Sequence, residues 1–151
     1  MQGEAMRALY TRRLRLEPVG DAAGHEIARP AVLPAWLTLA FVAGAGRVGE
    51  GGLLFVEDDE VHLGYRIAPE HRRQGYAVEG LAAVVGLAFG PLGVTSLLAE
   101  TAIDNEPSQR TLARLGFSDT SARSSRWSER RRSYIDYCLY RLDKADWKPS
   151  A

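Results

Sequence analysis

The chain has 151 residues, 46% of them hydrophobic and 25% charged, with 19 basic and 19 acidic side chains in balance. That length and apolar content suit one domain with its own core and exclude a chain that is disordered throughout. Zero net charge argues against wholesale nucleic-acid binding, which needs a basic footprint.

A single cysteine, Cys138, excludes an intramolecular disulfide framework and a thiolate zinc cluster. His25, His62 and His71 lack the close-paired spacing of a metal site, so no metal is expected. A reducing, cytoplasmic setting is the expectation. Arg7, Arg12, Arg13 and Arg15 interrupt Met1–Leu16, so no signal-peptide core is expected there. Gly80 to Ala99 is uncharged over 20 residues, long enough to span a bilayer, but Gly90-Pro91 breaks it near the middle. A buried helix, a turn and a strand fit it better than a membrane span.

In chain order, Tyr10–Val19 reads as a first strand, with Leu14 and Leu16 alternating against Arg13, Arg15 and Glu17. Gly20 to Pro34 carries two glycines and two prolines, leaving room for one short helix at most. Trp36–Ala43 and Arg47–Val56 read as strands, and Glu57-Asp58-Asp59-Glu60 as the hairpin loop that follows. Val61–Ile67 is the clearest strand: Val61, Leu63, Tyr65 and Ile67 share one face, His62, Gly64 and Arg66 the other. Val78, Leu81, Ala82, Val85 and Phe89 recur at helical spacing, on a helix apolar nearly all round and so buried on several sides. Ser96–Ala102 reads as a strand. Asn105 is a candidate cap for a helix with Pro107 in its first turn, Leu112 and Leu115 inside, and Gly116 at its end. Arg123–Arg132 reads as a solvated loop with five arginines against Glu129, and Trp127 as an exposed aromatic within it; an acidic acceptor, a cofactor phosphate or nucleic acid are the alternatives for that charge. Ser133–Leu142 is the last strand, with Tyr137, Cys138 and Tyr140 as core and edge residues. The order predicts an α+β, mixed α/β sandwich with helices on a largely antiparallel sheet, in a single domain over 1–151.

Chemistry concentrates in two motifs. Arg72-Arg73-Gln74-Gly75-Tyr76-Ala77 lies between a strand and a helix, where bare backbone exposes N–H groups and the helix dipole to an anion. An ordinary turn with solvated arginines is the alternative. Asn105, Ser108 and Arg110 lie in Asn-Glu-Pro-Ser-Gln-Arg, ahead of Leu115-Gly116-Phe117. Helix capping is the alternative for Asn105 and Ser108.

Together these motifs resemble the GNAT acyltransferases, especially the branch of ribosomal-protein N-terminal acetyltransferases and their small-molecule relatives. Arg72 to Glu79 and Asn105 to Phe117 match at the expected separation, and Thr11-Arg12-Arg13-Leu14-Arg15-Leu16 resembles that family's first strand. The resemblance implies acetyl-CoA, held at its pyrophosphate by Arg72, Arg73, Gln74, Gly75, Tyr76 and Ala77. It implies pairing of the pantetheine arm with the backbone of Ile67 and Ala68 and with Asn105, and places Ser108 near the thioester sulfur. The implied reaction is direct acetyl transfer to a primary amine, on a small molecule or a peptide N-terminus, without a membrane partner.

Such a transfer needs a base for the amine, because an ammonium ion is no nucleophile. It also needs backbone donors for the developing oxyanion, expected near Ile67 and Ala68. Glu100, a lone carboxylate in an apolar strand, is the candidate base: burial would raise its pKa, and some relatives place their catalytic glutamate five residues before the motif asparagine. A structural pair with an arginine such as Arg66 is the alternative. His62 and Glu50 are weaker candidates. Two departures stand out. Leu112 occupies the position of the family's usual tyrosine acid, leaving Ser108 or Tyr76 for that role. The stretch 20–35 is too short for the two helices that shape the acceptor pocket in relatives. The acceptor side is therefore abbreviated, open, or completed by a second copy in a homodimer. An acyl-CoA-binding module with little or no turnover is the competing reading.

Overall fold

The structure, a computed structural model, describes residues 6–149; the first residues of the Met1–Leu16 stretch lie outside that range. Eight strands form one sheet: β1 (Leu9–Tyr10), β2 (Arg15–Pro18), β3 (Ala35–Ala43), β4 (Gly46–Glu57), β5 (Glu60–Ile67), β6 (Ser96–Ala102), β7 (Ser118–Ser128) and β8 (Ser133–Asp143). Two helices join them, α1 (Tyr76–Phe89) and α2 (Glu106–Arg114). The sheet order is β1-β2-β3-β4-β5-β6-β8-β7. Every neighbouring pair is antiparallel except β5 and β6, which run parallel because the α1 crossover connects them.

One face of the sheet carries the core. Val61, Leu63 and Ile67 of β5, Leu53 and Phe55 of β4 and Leu97 and Ala99 of β6 are buried on it. Leu81, Val84, Val85, Ala88 and Phe89 of α1 cover them, which explains why this helix is apolar on nearly every side. Each large side chain among these contributes about 1.5–3 kcal/mol by leaving water. At Gly80 the helix meets the sheet so closely that a Cβ would collide with the Phe41 ring.

The opposite face carries no helix among the described residues. Residues 20–34 form only one short 3-10 turn, Gly20–Ala22. Their remainder runs along the α1 side, where Ile27 joins the core and Arg29 donates to the carbonyls of Leu92 (3.2 Å) and Asp58 (2.7 Å). The bare face presents Trp36, His62, Arg66, Leu98, Glu100 and Tyr137, with Trp36 lying over Gly64. The short 20–34 stretch thus leaves this face of the sheet uncovered among the described residues.

Two expectations need correcting. The first strand is two short ones, because Thr11 N–H donates to Leu14 O (2.8 Å) and Leu14 N–H to Thr11 Oγ1 (3.0 Å), closing a turn between them. Arg123–Arg132 is not a loop as a whole: residues up to Ser128 belong to the edge strand β7. Almost every residue of β7 is exposed, so it shows no apolar alternation from which a strand could be read.

Candidate active site

β5 and β6 are paired at one position only, His62 with Leu98. Beyond it a cleft of about 1200 Å³ opens between the strands, bounded by the start of α1, by α2 and by the turn between β7 and β8. The Ala68 N–H donates to Val48 O (2.9 Å). By strand alternation, the backbone groups of Tyr65 and Ile67 therefore point away from β4 and into the cleft. The Ile67 N–H is therefore free toward the cleft, while its carbonyl accepts from Arg72 Nε (3.0 Å). The Ala68 N–H is spent on β4.

The turn into α1 has left-handed backbone at two positions and an uncapped helix start. Arg73 (φ 62°) and Gly75 (φ 80°) both adopt left-handed backbone, a conformation that gathers successive N–H groups into a concave nest. No side chain caps the helix, and Gly75, Tyr76, Ala77 and Val78 line the cleft. The open helix N-terminus adds its dipole at the same point. Arg73 is free to extend toward solvent, whereas Arg72 donates Nε to Ile67 O (3.0 Å) and so ties the turn to the end of β5.

Behind this turn sits a clasp that no motif spacing shows. The Glu79 carboxylate accepts from Thr11 Oγ1, from Arg13 N–H (2.7 Å) and from Arg13 Nε (2.6 Å). Burial alone would raise the Glu79 pKa, but these bonds and the Arg13 charge outweigh it and hold the carboxyl below its ordinary value. Arg13 also donates Nη1 to Gln74 O (2.8 Å) and lies 4.5 Å over the Tyr76 ring. Tyr76 is thereby held by Arg13. Glu79 belongs to the first motif, but its partners stand more than 60 residues earlier, so the sequence carries no signal of the pairing.

On the far wall, Asn105 caps α2, its Oδ1 accepting from Ser108 N–H (3.2 Å). Gln109 Nε2 donates to Ile103 O (2.8 Å) and fixes the helix to the end of β6. Asn105 and Ser108 both line the cleft, so capping and ligand contact are compatible. Leu112 is 2% exposed and packed in the core, and so brings no acid to the cleft.

Glu100 lines the cleft from the bare face, but the expectation of burial fails. Its side chain is 34% exposed and pairs with Arg126, not with Arg66, at 2.7 Å. Arg126 reaches it from β7 while stacking 4.0 Å over the Tyr137 ring. His62 is paired to Glu60 (3.0 Å) and Glu50 to Arg47 (3.2 Å), away from the cleft lining. No group of three potential ligands for a metal ion occurs among the described residues, and none of their helices is long and apolar enough to cross a membrane.

The profile of the acetyltransferase (GNAT) domain matches residues 4–118. The chain belongs to the GNAT acetyltransferase family. GNAT proteins use acetyl-CoA. The chain is similar to the N-acetyltransferase YoaA of Bacillus subtilis (strain 168), 44% identical over 55 residues, which are 36% of this chain and 31% of YoaA. Among solved structures, RimJ of Mycobacterium smegmatis, in complex with CoA-disulfide, superposes with a TM-score of 0.67 at 21% identity, over 73% of this chain and 54% of RimJ. Spermidine N-acetyltransferase of Vibrio cholerae, in complex with CoA and spermine, gives a TM-score of 0.67 at 16% identity, over 74% of this chain and 68% of the enzyme. At these identities the likeness shows the fold. The match with YoaA spans about a third of that protein's length.

Proposed function

We propose that this chain is an N-acetyltransferase that binds acetyl-CoA in the β5–β6 cleft and acetylates a primary amine arriving from the bare face of the sheet. One observation carries the reading: the backbone of Tyr65 and Ile67 that faces away from β4 and the nest at Arg73–Gly75 open into the same cleft. The nest and the first N–H groups of α1 suit a pyrophosphate, and the free edge of β5 suits the amides of a pantetheine arm.

Acetyl-CoA supplies the activated acetyl group as a thioester. The chain's own residues do the rest. The Ile67 N–H, which faces the cleft, donates to the acyl oxygen. Glu100, the carboxylate of the cleft, takes the proton of the incoming amine, directly or through water. The Ser108 hydroxyl is the donor for the departing sulfur. The C–N bond forms as the C–S bond breaks; the nitrogen then loses a second proton, which balances the one taken up by the thiolate, and the proton first taken by Glu100 passes to solvent.

The test is release of free CoA thiol from acetyl-CoA with a panel of amines and peptides. Turnover that is lost in Gly75→Glu together with CoA binding supports the reading. Tight CoA binding with no thiol release on any acceptor favours a binding module, the role to which the buried Leu112 and the ion-paired Glu100 would point.

A further inference from the structure

Charge is distributed unevenly around the cleft. Seven arginines line it, against one carboxylate, Glu100, which Arg126 already neutralises at 2.7 Å. They fall into two groups by element. Arg72 and Arg73 stand at the start of α1, and Arg110 and Arg114 on α2, all on the helix side where the anion nest lies. Under the acetyl-CoA reading these four face the cofactor's phosphates. The other three, Arg66, Arg130 and Arg131, stand on β5 and on the β7–β8 turn. Arg131 pairs with Asp104 (2.8 Å). Arg66 and Arg130 have no carboxylate within ion-pair distance among the described residues.

Arg66 lies on the bare face, in register with Glu50 of β4. Glu50 is engaged by Arg47 (3.2 Å) and, with Glu70, lines a second hollow that Arg66 separates from the cleft, Arg66 bordering both. The half of the cleft open to an acceptor thus carries two unpaired guanidinium groups and no free carboxylate. A polyamine entering there would bring its second ammonium against like charge, which is unfavourable. A guanidinium fork instead matches the two oxygens of a carboxylate or phosphate.

We propose that the acceptor is a small primary amine that also carries a carboxylate or phosphate, and that Arg66 and Arg130 receive that anion while the amine faces Glu100. This rests on the acetyltransferase reading and narrows it. The anion anchors the acceptor's far end, so the nitrogen is presented to the thioester with less freedom to wander.

Four amines separate the possibilities: β-alanine, O-phosphoethanolamine and ethanolamine, which share an aminoethyl unit, and the longer polyamine spermidine. Each is measured twice, by thiol release with acetyl-CoA and by calorimetric binding to the protein saturated with CoA. The expected result is kcat/KM at least about tenfold higher for β-alanine or O-phosphoethanolamine than for ethanolamine, with spermidine lowest. Which anion leads identifies carboxylate or phosphate. In Arg66→Gln/Arg130→Gln that preference falls about tenfold toward parity, with CoA affinity within about twofold. A preference for spermidine or ethanolamine overturns the proposal, as does an anion preference unmoved by the double variant. If none of the four is acetylated, the wider panel of amines and peptides decides the acetyltransferase reading. The calorimetry then still decides the anion site, because absent or charge-indifferent binding overturns it and binding of the anionic amines alone upholds it.

Discussion

Arg13 and Glu79 stand 66 residues apart and meet in a two-point contact, Nε to Oε1 at 2.6 Å and backbone N–H to Oε2 at 2.7 Å. The same guanidinium reaches Gln74 O, so one side chain joins the β1–β2 turn, the α1 helix and the anion nest. The clasp ties the nest to the β1–β2 turn.

Glu79→Gln tests the clasp. It keeps the shape and removes the charge, and should cost about 1–3 kcal/mol in denaturant unfolding, toward the lower end because Arg13 is partly exposed. The Glu79 carboxyl lies below its ordinary value in the fold, so its contribution is complete above the ordinary glutamate range and is lost as pH falls through the folded value. The gap between wild type and Glu79→Gln should therefore be full at pH 7 and shrink below about pH 4. A gap that stays constant down to pH 3 would show that the charge contributes nothing.

Gly75 offers a test of the nest. Its φ of 80° disfavours any side chain, and a Cβ there would lie 3.3 Å from Arg13 Nη2. Gly75→Ala should lose about 1 kcal/mol of stability and keep measurable CoA affinity. Gly75→Glu puts a negative charge beside the nest and should abolish CoA binding while the circular dichroism spectrum stays that of the folded protein. Retained affinity in folded Gly75→Glu would remove the phosphate assignment.

Much of this was readable in advance, and the limits have physical causes. Ser96–Ala102 and the Asn105 cap were legible because burial on one face and a terminal polar residue leave local marks. β7 was not, because a strand wet on both faces has no period to detect. The nest was legible from Gly75, but not the left-handed Arg73, which only the folded turn imposes. The environment of Glu100 was misread because its apolar chain neighbours, Leu98 and Ala99, say nothing about Arg126 arriving from β7. Long-range partners of single charges leave no local trace.

Glu100→Gln should lower kcat about a hundredfold and leave CoA affinity unchanged, if the carboxylate takes the amine's proton. A kcat unchanged in Glu100→Gln across pH 6–9 returns Glu100 to a purely structural pair.

Gly80 sets how closely α1 can approach the sheet. Gly80→Ala should destabilise the fold by about 1–3 kcal/mol, because its Cβ meets Phe41, a fully buried ring that cannot retreat. Phe41→Leu in the same chain should recover part of that loss, and chemical denaturation of both single variants and the double variant gives the coupling. Additive losses would place the strain elsewhere.

The single bridge between His62 and Leu98 divides the sheet mechanically. Five strands hang together on one side of it and three on the other, and the α1 crossover is the chain link between the two blocks. A molecule seated along Tyr65 and Ile67 would act as a strut across that seam, supplying bonds the polypeptide leaves unmade. Amide exchange at β5 and β6 should then slow together on ligation, with the outer strands barely affected, so that the cleft reads as a joint whose stiffness its contents determine.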